Sequence, residues 1–296
     1  MLEKILFIKR FIDNHPIASR AKLKCYLRVL NWQLSQAISP GLKRKQFVEN
    51  SYLMLKKGLA GATSHIYAGL GEYEEMGFLL HLLRKEDYFG DIGSNIGAFS
   101  VLATVNCGAE AFAVEPVPNT FSILKSNVEV NNVGNRIKIL QNGVGDKETT
   151  LRFTSVLDAL NHVIQDHEES SDAIEVAVLP MDKIFEHRTP TLLKIDVEGY
   201  EFPALLGAQR LLSDPSLKAI IIELNGCGAG FGFDENEIHR MLIEKGFYRM
   251  VYHPMERQLI PDAVGKNDNK IYVRDIDWVQ NRIATARKFK ILNSYI

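Results

Sequence analysis

The run DIGSNIG, residues 91–97, places Asp91 two positions before Gly93 and Gly97 four positions after it. A glycine-rich turn behind an apolar run predicts a nucleotide-type cofactor at a strand end. The dinucleotide fingerprint, G-x-G-x-x-G, would need glycines where Asn95 and Ala98 stand. Asp91 beside the turn also disfavours a pyrophosphate and suits a cofactor carrying positive charge. Eighteen residues after Gly97 comes Glu115, an acid able to accept hydrogen bonds from both ribose hydroxyls of an adenosine. Asn142, Gly143 and Val144, in QNGVGD, are placed to flank an adenine ring. S-adenosylmethionine, with its ammonium and sulfonium groups, meets these requirements.

Transfer of a methyl group is an in-line displacement in which positioning supplies much of the rate. A neutral hydroxyl acceptor also needs a general base near the donor. Three residues are candidates: Asp196 and Glu198 in KIDVEG, and His162 in LNHVIQD. Asp196 has a second expected role in orienting the cofactor. The plainer reading makes Asp196 and Glu198 caps of a helix starting near Tyr200, because acids favour helix N-termini. No metal is expected. The competing arrangement would gather Asp196, Glu223 and Asn225 as hard oxygen ligands for Mg²⁺, but Asn225 reads equally as a turn residue.

These residues need elements to carry them to one place. From about residue 86 short apolar runs alternate with helical patterns: YFGDI, AFAVE, IKILQ, TLLKIDV and KAIIIEL. Such alternation predicts βαβ units and a parallel sheet. YRMVY and KIYVR, joined without a long helix, predict an antiparallel hairpin at the sheet edge. A β insertion is expected at about 146–187, with TTLRF and IEVAVL as its strands. Ligands of an open parallel sheet sit beyond the carboxyl ends of its strands, where Asp91, Glu115, Asn142 and Asp196 fall.

Residues 1–57 hold twelve Lys and Arg against Glu3, Asp13 and Glu49, a balance of +9 in a chain whose net charge is −1. This segment reads as helices, with Leu23, Leu27, Leu30 and Leu34 on one face. A basic amphipathic helix suits a solvated face, an anionic membrane surface or another partner, and its apolar stripe suits a homodimer contact. No nucleic-acid motif accompanies the charge. The start of the chain has no signal-peptide pattern. Cys25, Cys107 and Cys227 lack paired spacing, so reduced thiols in the cytoplasm are expected.

GLGEYEEMGFLLHLLRKEDYFGDIGSNIG, AVEP, NGVGD and LLKIDVEGYE, followed by IIIELNG and NKIYVR, resemble the successive motifs of the FkbM family of S-adenosylmethionine-dependent methyltransferases. The resemblance covers roughly residues 66–274. It implies an α/β fold with a Rossmann-like, seven-stranded, mostly parallel sheet, and O-methylation of a hydroxyl on a sugar, glycan or natural product. On the matching positions it implies a cofactor set of Glu72, Asp91, Gly93, Ser94, Asn95, Gly97, Glu115, Pro116, Asn142, Gly143, Val144 and Asp196. Ser94 departs from the family's usual alanine. Residues 1–60 are expected as a basic helical segment and 61–296 as the cofactor-binding domain. The alternatives are a non-catalytic binding module on the same fold and an NAD-dependent oxidoreductase.

Overall fold

The computed structural model describes residues 2–156, 161–165, 168, 171–262 and 268–296. Helices α1 (Leu2–Asn14) and α2 (Lys22–Ile38) lead into strands β1 (Lys43–Gln46) and β2 (Tyr52–Leu55), then helices α3 (Ala60–Ala68) and α4 (Tyr73–Leu82). The alternating part runs β3 (Tyr88–Ile92), α5 (Ala98–Val101), β4 (Glu110–Val114), α6 (Pro118–Val130) and β5 (Ile137–Leu140). The insertion follows with β6 (Gly143–Val144), β7 (Thr149–Phe153) and β8 (Ile174–Leu179). Next come α7 (Met181–Ile184), β9 (Leu192–Ile195), α8 (Glu201–Leu206), α9 (Gln209–Ser213), β10 (Ala219–Glu223) and α10 (Glu235–Glu244). The chain closes with β11 (Tyr248–His253), β12 (Gln258–Pro261), β13 (Asn269–Val273), α11 (Ile276–Ala284), β14 (Lys290–Ile291) and β15 (Ser294–Tyr295).

The main sheet has the order β12-β11-β13-β10-β9-β3-β4-β5. From β10 to β5 neighbours are parallel, and β13, β11 and β12 join antiparallel. LLKI and AIIIE are buried along almost their whole length, as expected of parallel strands covered on both faces. The expected seven strands are present, with QLIP as an eighth. It is short and ends in proline, which suits an edge strand, and it escapes a reading that looks for longer runs. Helices α4, α6 and α11 cover one face of the sheet, and α8, α9 and α10 the other. The winding reverses between β3 and β9, which opens a crevice at their carboxyl ends.

The amino-terminal segment departs from the all-helical expectation, because residues 43–55 form a hairpin. Its inner strand, β2, is seated on α6: Asn131 Oδ1 accepts from Tyr52 N and Asn127 Oδ1 from Met54 N. Leu53, Leu55 and Trp32 share one core with Leu124 and Phe99, so this segment is packed into the domain. The insertion places β7 and β8 with β6 in a three-stranded sheet, and its residues 157–160, 166–167 and 169–170 lie outside the described residues. No described helix is long and apolar enough to cross a membrane.

Candidate active site

The turn after β3 is pressed onto its neighbours. Gly93 N and Ser94 N both donate to the Val114 carbonyl at the end of β4, at 3.0 and 2.9 Å. Gly93 has φ +72°, and a Cβ there would run into the Asp196 carbonyl oxygen. Glycine is therefore demanded by the close approach of the β3 and β9 ends. Gly97, at φ +80°, is held the same way by Leu124 of α6.

A cavity of about 460 Å³ opens over these strand ends. Glu115 lines it, buried, with Oε2 accepting from Asn95 N at 2.9 Å and Oε1 from Val117 N at 3.1 Å. Burial raises its carboxyl to about 7 despite those donors. Each oxygen keeps a lone pair for a further donor, which fits ribose hydroxyls. Asn142, Gly143 and Val144 line the same cavity with Phe153 and Val163 of the insertion, and Ile96 and Pro116 complete an apolar slot. Asn142 turns its amide to the Ala177 carbonyl of β8.

The other end is acidic. Glu72, Asp196, Glu198 and Glu223 line it, against Lys194. Lys194 and Asp196 are two apart on β9 and its extension, so they share a face. Their Nζ and Oδ2 atoms meet at 2.6 Å. Burial opposes the Lys194 charge, but Asp196, Glu72 and Asp91 outweigh it and keep the ammonium protonated. Glu223 is pushed far up, first by burial and then by the charges of Asp196 and Glu198, and holds a proton against Asp196. Burial, then Asp196 and Glu201, raises Glu198 to about 7, and burial raises Glu72 to about 7. Glu198 adopts φ +52°, unusual for a residue with a side chain and a form of strain that collects at functional turns. Glu201 caps the α8 turn instead, accepting from Val197 N and Gly199 N. Asp196 and Glu198 are thereby left to face the cavity. Ser94 Oγ, Glu223 Oε2 and Asn269 Oδ1, all on lining residues, have no protein partner, so the site has the polar capacity that a cofactor requires.

Three of the residues weighed in the sequence lie outside the cavity lining. Asp91, 1% exposed, does not line the cavity. Its Oδ2 accepts from Ser100 N at 3.1 Å and Ser100 Oγ at 2.6 Å at the start of α5. Its charge is felt by Lys194, Glu72 and Glu115, and the acids lining the cavity are Glu72 before α4 and those at the neighbouring strand ends. His162 does not line the cavity either, although its neighbours Asn161 and Val163 do. In the extended stretch that pairs Val163 with Phe153, alternation turns the ring the other way, where Nε2 meets Glu168 at 3.1 Å. Asn225 accepts from Cys227 N in its own turn. The carboxylates that do converge are those of Asp196, Glu198 and Glu223, within 4.8 Å of one another. There the Lys194 ammonium already occupies Asp196.

Among the lining residues that went unrecognised in the sequence, Lys194 and His65 carry ionisable groups. Lys194 was legible as a lone cation inside the apolar run LLKI. His65 on α3 gave no signal. Its buried ring accepts from Gly71 N through Nδ1, and burial, then Lys194, lowers it to about 4. That bond fixes the tautomer with hydrogen on Nε2, a neutral donor on the cavity wall.

The family model described as the methyltransferase FkbM domain matches residues 91–250. The hexuronic acid methyltransferase AglP of Haloferax volcanii is 27% identical over 178 residues, spanning 59% of this chain and 69% of the relative. The crystal structure of methyltransferase FkbM from Methylobacillus flagellatus aligns with a TM-score of 0.45 at 21% identity, over 72% of this chain. The chain spans about half, 52%, of that structure's length. The C-terminal domain of the precorrin-6Y C5,15-methyltransferase of Rhodobacter capsulatus aligns with a TM-score of 0.37 at 14% identity, covering 66% of this chain and 84% of that domain.

Proposed function

The chain belongs to the FkbM methyltransferase family, and on that premise we propose that it moves a methyl group from S-adenosylmethionine to a sugar hydroxyl. The observation that carries this reading is the polarity of the cavity, with a ribose seat at Glu115 and a cluster of carboxylates at the opposite end. A sulfonium and an ammonium gain from such carboxylates, whereas a pyrophosphate would be repelled. The likeness to a hexuronic acid methyltransferase supports a sugar acceptor.

When bound, S-adenosylmethionine supplies an electrophilic methyl carbon whose bond to sulfur breaks as the bond to oxygen forms. Glu115 would hold the ribose, and Val144, Phe153 and Val163 would enclose the adenine. Glu198 is assigned as general base: a carboxyl raised to about 7 by burial accepts the hydroxyl proton near neutral pH. Asp196, held by Lys194, would orient the amino-acid end of the cofactor, and His65 Nε2–H would donate to an acceptor oxygen. Glu72 adds negative field as it ionises above about pH 7, and protonated Glu223 braces Asp196. The unpaired thiols of Cys25, Cys107 and Cys227 support a reducing compartment, the cytoplasm.

Calorimetric titration with S-adenosylhomocysteine and with NAD tests the cofactor assignment. Saturable binding of the first alone is expected, and binding of NAD alone overturns the reading. Incubation with S-adenosylmethionine and oligosaccharides bearing hexuronic acids should release S-adenosylhomocysteine and add one methyl ether to the sugar.

A further inference from the structure

Helix α2 carries two apolar faces. One holds Cys25 and Trp32 and packs inward, where Cys25 meets Ile12 of α1. The other consists of Leu23, Leu27, Leu30, Leu34 and Ile38, at steps of four, three, four and four, which trace one line along a helix. Every one of these is more than half exposed, from 53% at Leu34 to 84% at Ile38. Helix α1 adds Ile5, Leu6 and Phe7, each also more than half exposed. A contiguous apolar row in water, rimmed by polar groups, marks an interaction site.

The surrounding charge selects the occupant. Lys9, Arg10, Arg20, Lys22 and Lys24 are exposed on or between these two helices, Lys9 and Lys22 sharing Asp13 as an ion-pair partner. Residues 1–57 carry +9 and the rest of the chain −10. Residues 1–38 hold seven Lys and Arg against Glu3 and Asp13, so a second copy docked through the same stripe would bring two helical pairs of +5 together. An anionic lipid surface satisfies both features at once, taking the aliphatic row at the acyl boundary and the basic groups among the headgroups.

We propose that α1 and α2 dock the protein on an anionic phospholipid surface, lying in its plane. Docking would set the cavity beside the bilayer, because α2 packs on α3 through Arg28 Nε to the Ile66 carbonyl and Gln33 to Tyr67 Oη. Gly61, Ala62, Ser64 and His65 of α3 form part of the cavity wall. The surface would thus recruit the enzyme to acceptors at the membrane, a role beyond methyl transfer itself.

The test is co-sedimentation of the full chain with vesicles of phosphatidylcholine, with and without phosphatidylglycerol. Binding is expected with phosphatidylglycerol only, weakened by raised salt, which screens the attraction. The paired substitutions Leu27→Glu and Leu30→Glu should reduce it by about tenfold or more, with an unchanged melting temperature and unchanged S-adenosylhomocysteine affinity. Ile38→Glu alone, at the most exposed position, should weaken binding in the same direction. Absence of binding to phosphatidylglycerol vesicles overturns the proposal. So does equal binding to both vesicle types, or binding that survives all three substitutions. A dimer in light scattering that the paired substitutions dissolve, with no vesicle binding, assigns the stripe to a second copy instead.

Discussion

Glu198 combines a cavity position, a left-handed backbone and a carboxyl raised to about 7. Its base form is the ionised one, so the turnover number should climb as pH rises and level off above about 7. Glu198→Gln should cost about 10²- to 10⁴-fold in kcat and flatten that rise, with S-adenosylhomocysteine affinity nearly unchanged. A retained pH profile in that variant would move the base elsewhere, Asp196 being next in place. Glu115→Ala removes two charge-assisted contacts to ribose, about 1.5–3 kcal/mol each, and should weaken S-adenosylhomocysteine binding by at least about tenfold in calorimetry. At this scale the sequence was informative wherever a residue type and its strand position agreed, as for Glu115, Asp196 and Glu198. It put Asp91 at the right strand end, but the side chain accepts from Ser100 at the start of α5 and does not line the cavity. The same holds for His162, because which way an extended residue points depends on register.

Elements bring these residues together through a few backbone contacts. The β3 and β9 ends meet at Gly93 against the Asp196 carbonyl. Gly93→Ala would strain a φ of +72° and force those ends apart. A lower melting temperature and loss of S-adenosylhomocysteine binding are expected together, and a variant retaining full affinity would show that the turn tolerates displacement. Asn127 bonds Met54 N with its Oδ1 and donates from Nδ2 to the Ile96 carbonyl at 2.7 Å. Asn127→Ala leaves both partners unpaired, at about 1–3 kcal/mol each. A drop of several degrees in a thermal melt checks this, at about 2–4 °C per kcal/mol for a large domain. The hairpin itself was not legible. KRKQ and YLML are short and separated by an ordinary loop, and the seating of β2 on α6 depends on two asparagines 73 and 79 residues later, where tertiary context overrides strand propensity.

At the scale of the whole molecule, the cavity's acids couple ligand charge to pH. Glu72 and Glu198 have folded-state values of about 7, above the ordinary carboxylate range. A raised carboxyl pKa means that the ligand-free protein binds more protons than its unfolded chain between about pH 4.5 and 7, so these groups lower stability as pH rises through that window. A cationic ligand reverses the preference, since it favours the ionised acids. The affinity of S-adenosylmethionine relative to S-adenosylhomocysteine, which lacks the sulfonium, should therefore grow from about pH 6 to about pH 8. Calorimetry at both values checks it, and a constant ratio would detach the sulfonium from these carboxylates.

The sequence by itself determined the strand–helix alternation, the glycine turn, the acid at the end of β4 and the KIDVEG block. Each is a local pattern, written in residue types a few positions apart. Only the tertiary structure decided which side chains share the cavity. It recruited His65 and Lys194 to the wall, gave the cap of α8 to Glu201, and turned Asp91 and His162 away. It also covered one face of α2 and left the other in water. Those outcomes depend on packing between segments far apart in the chain, which local periodicity does not encode.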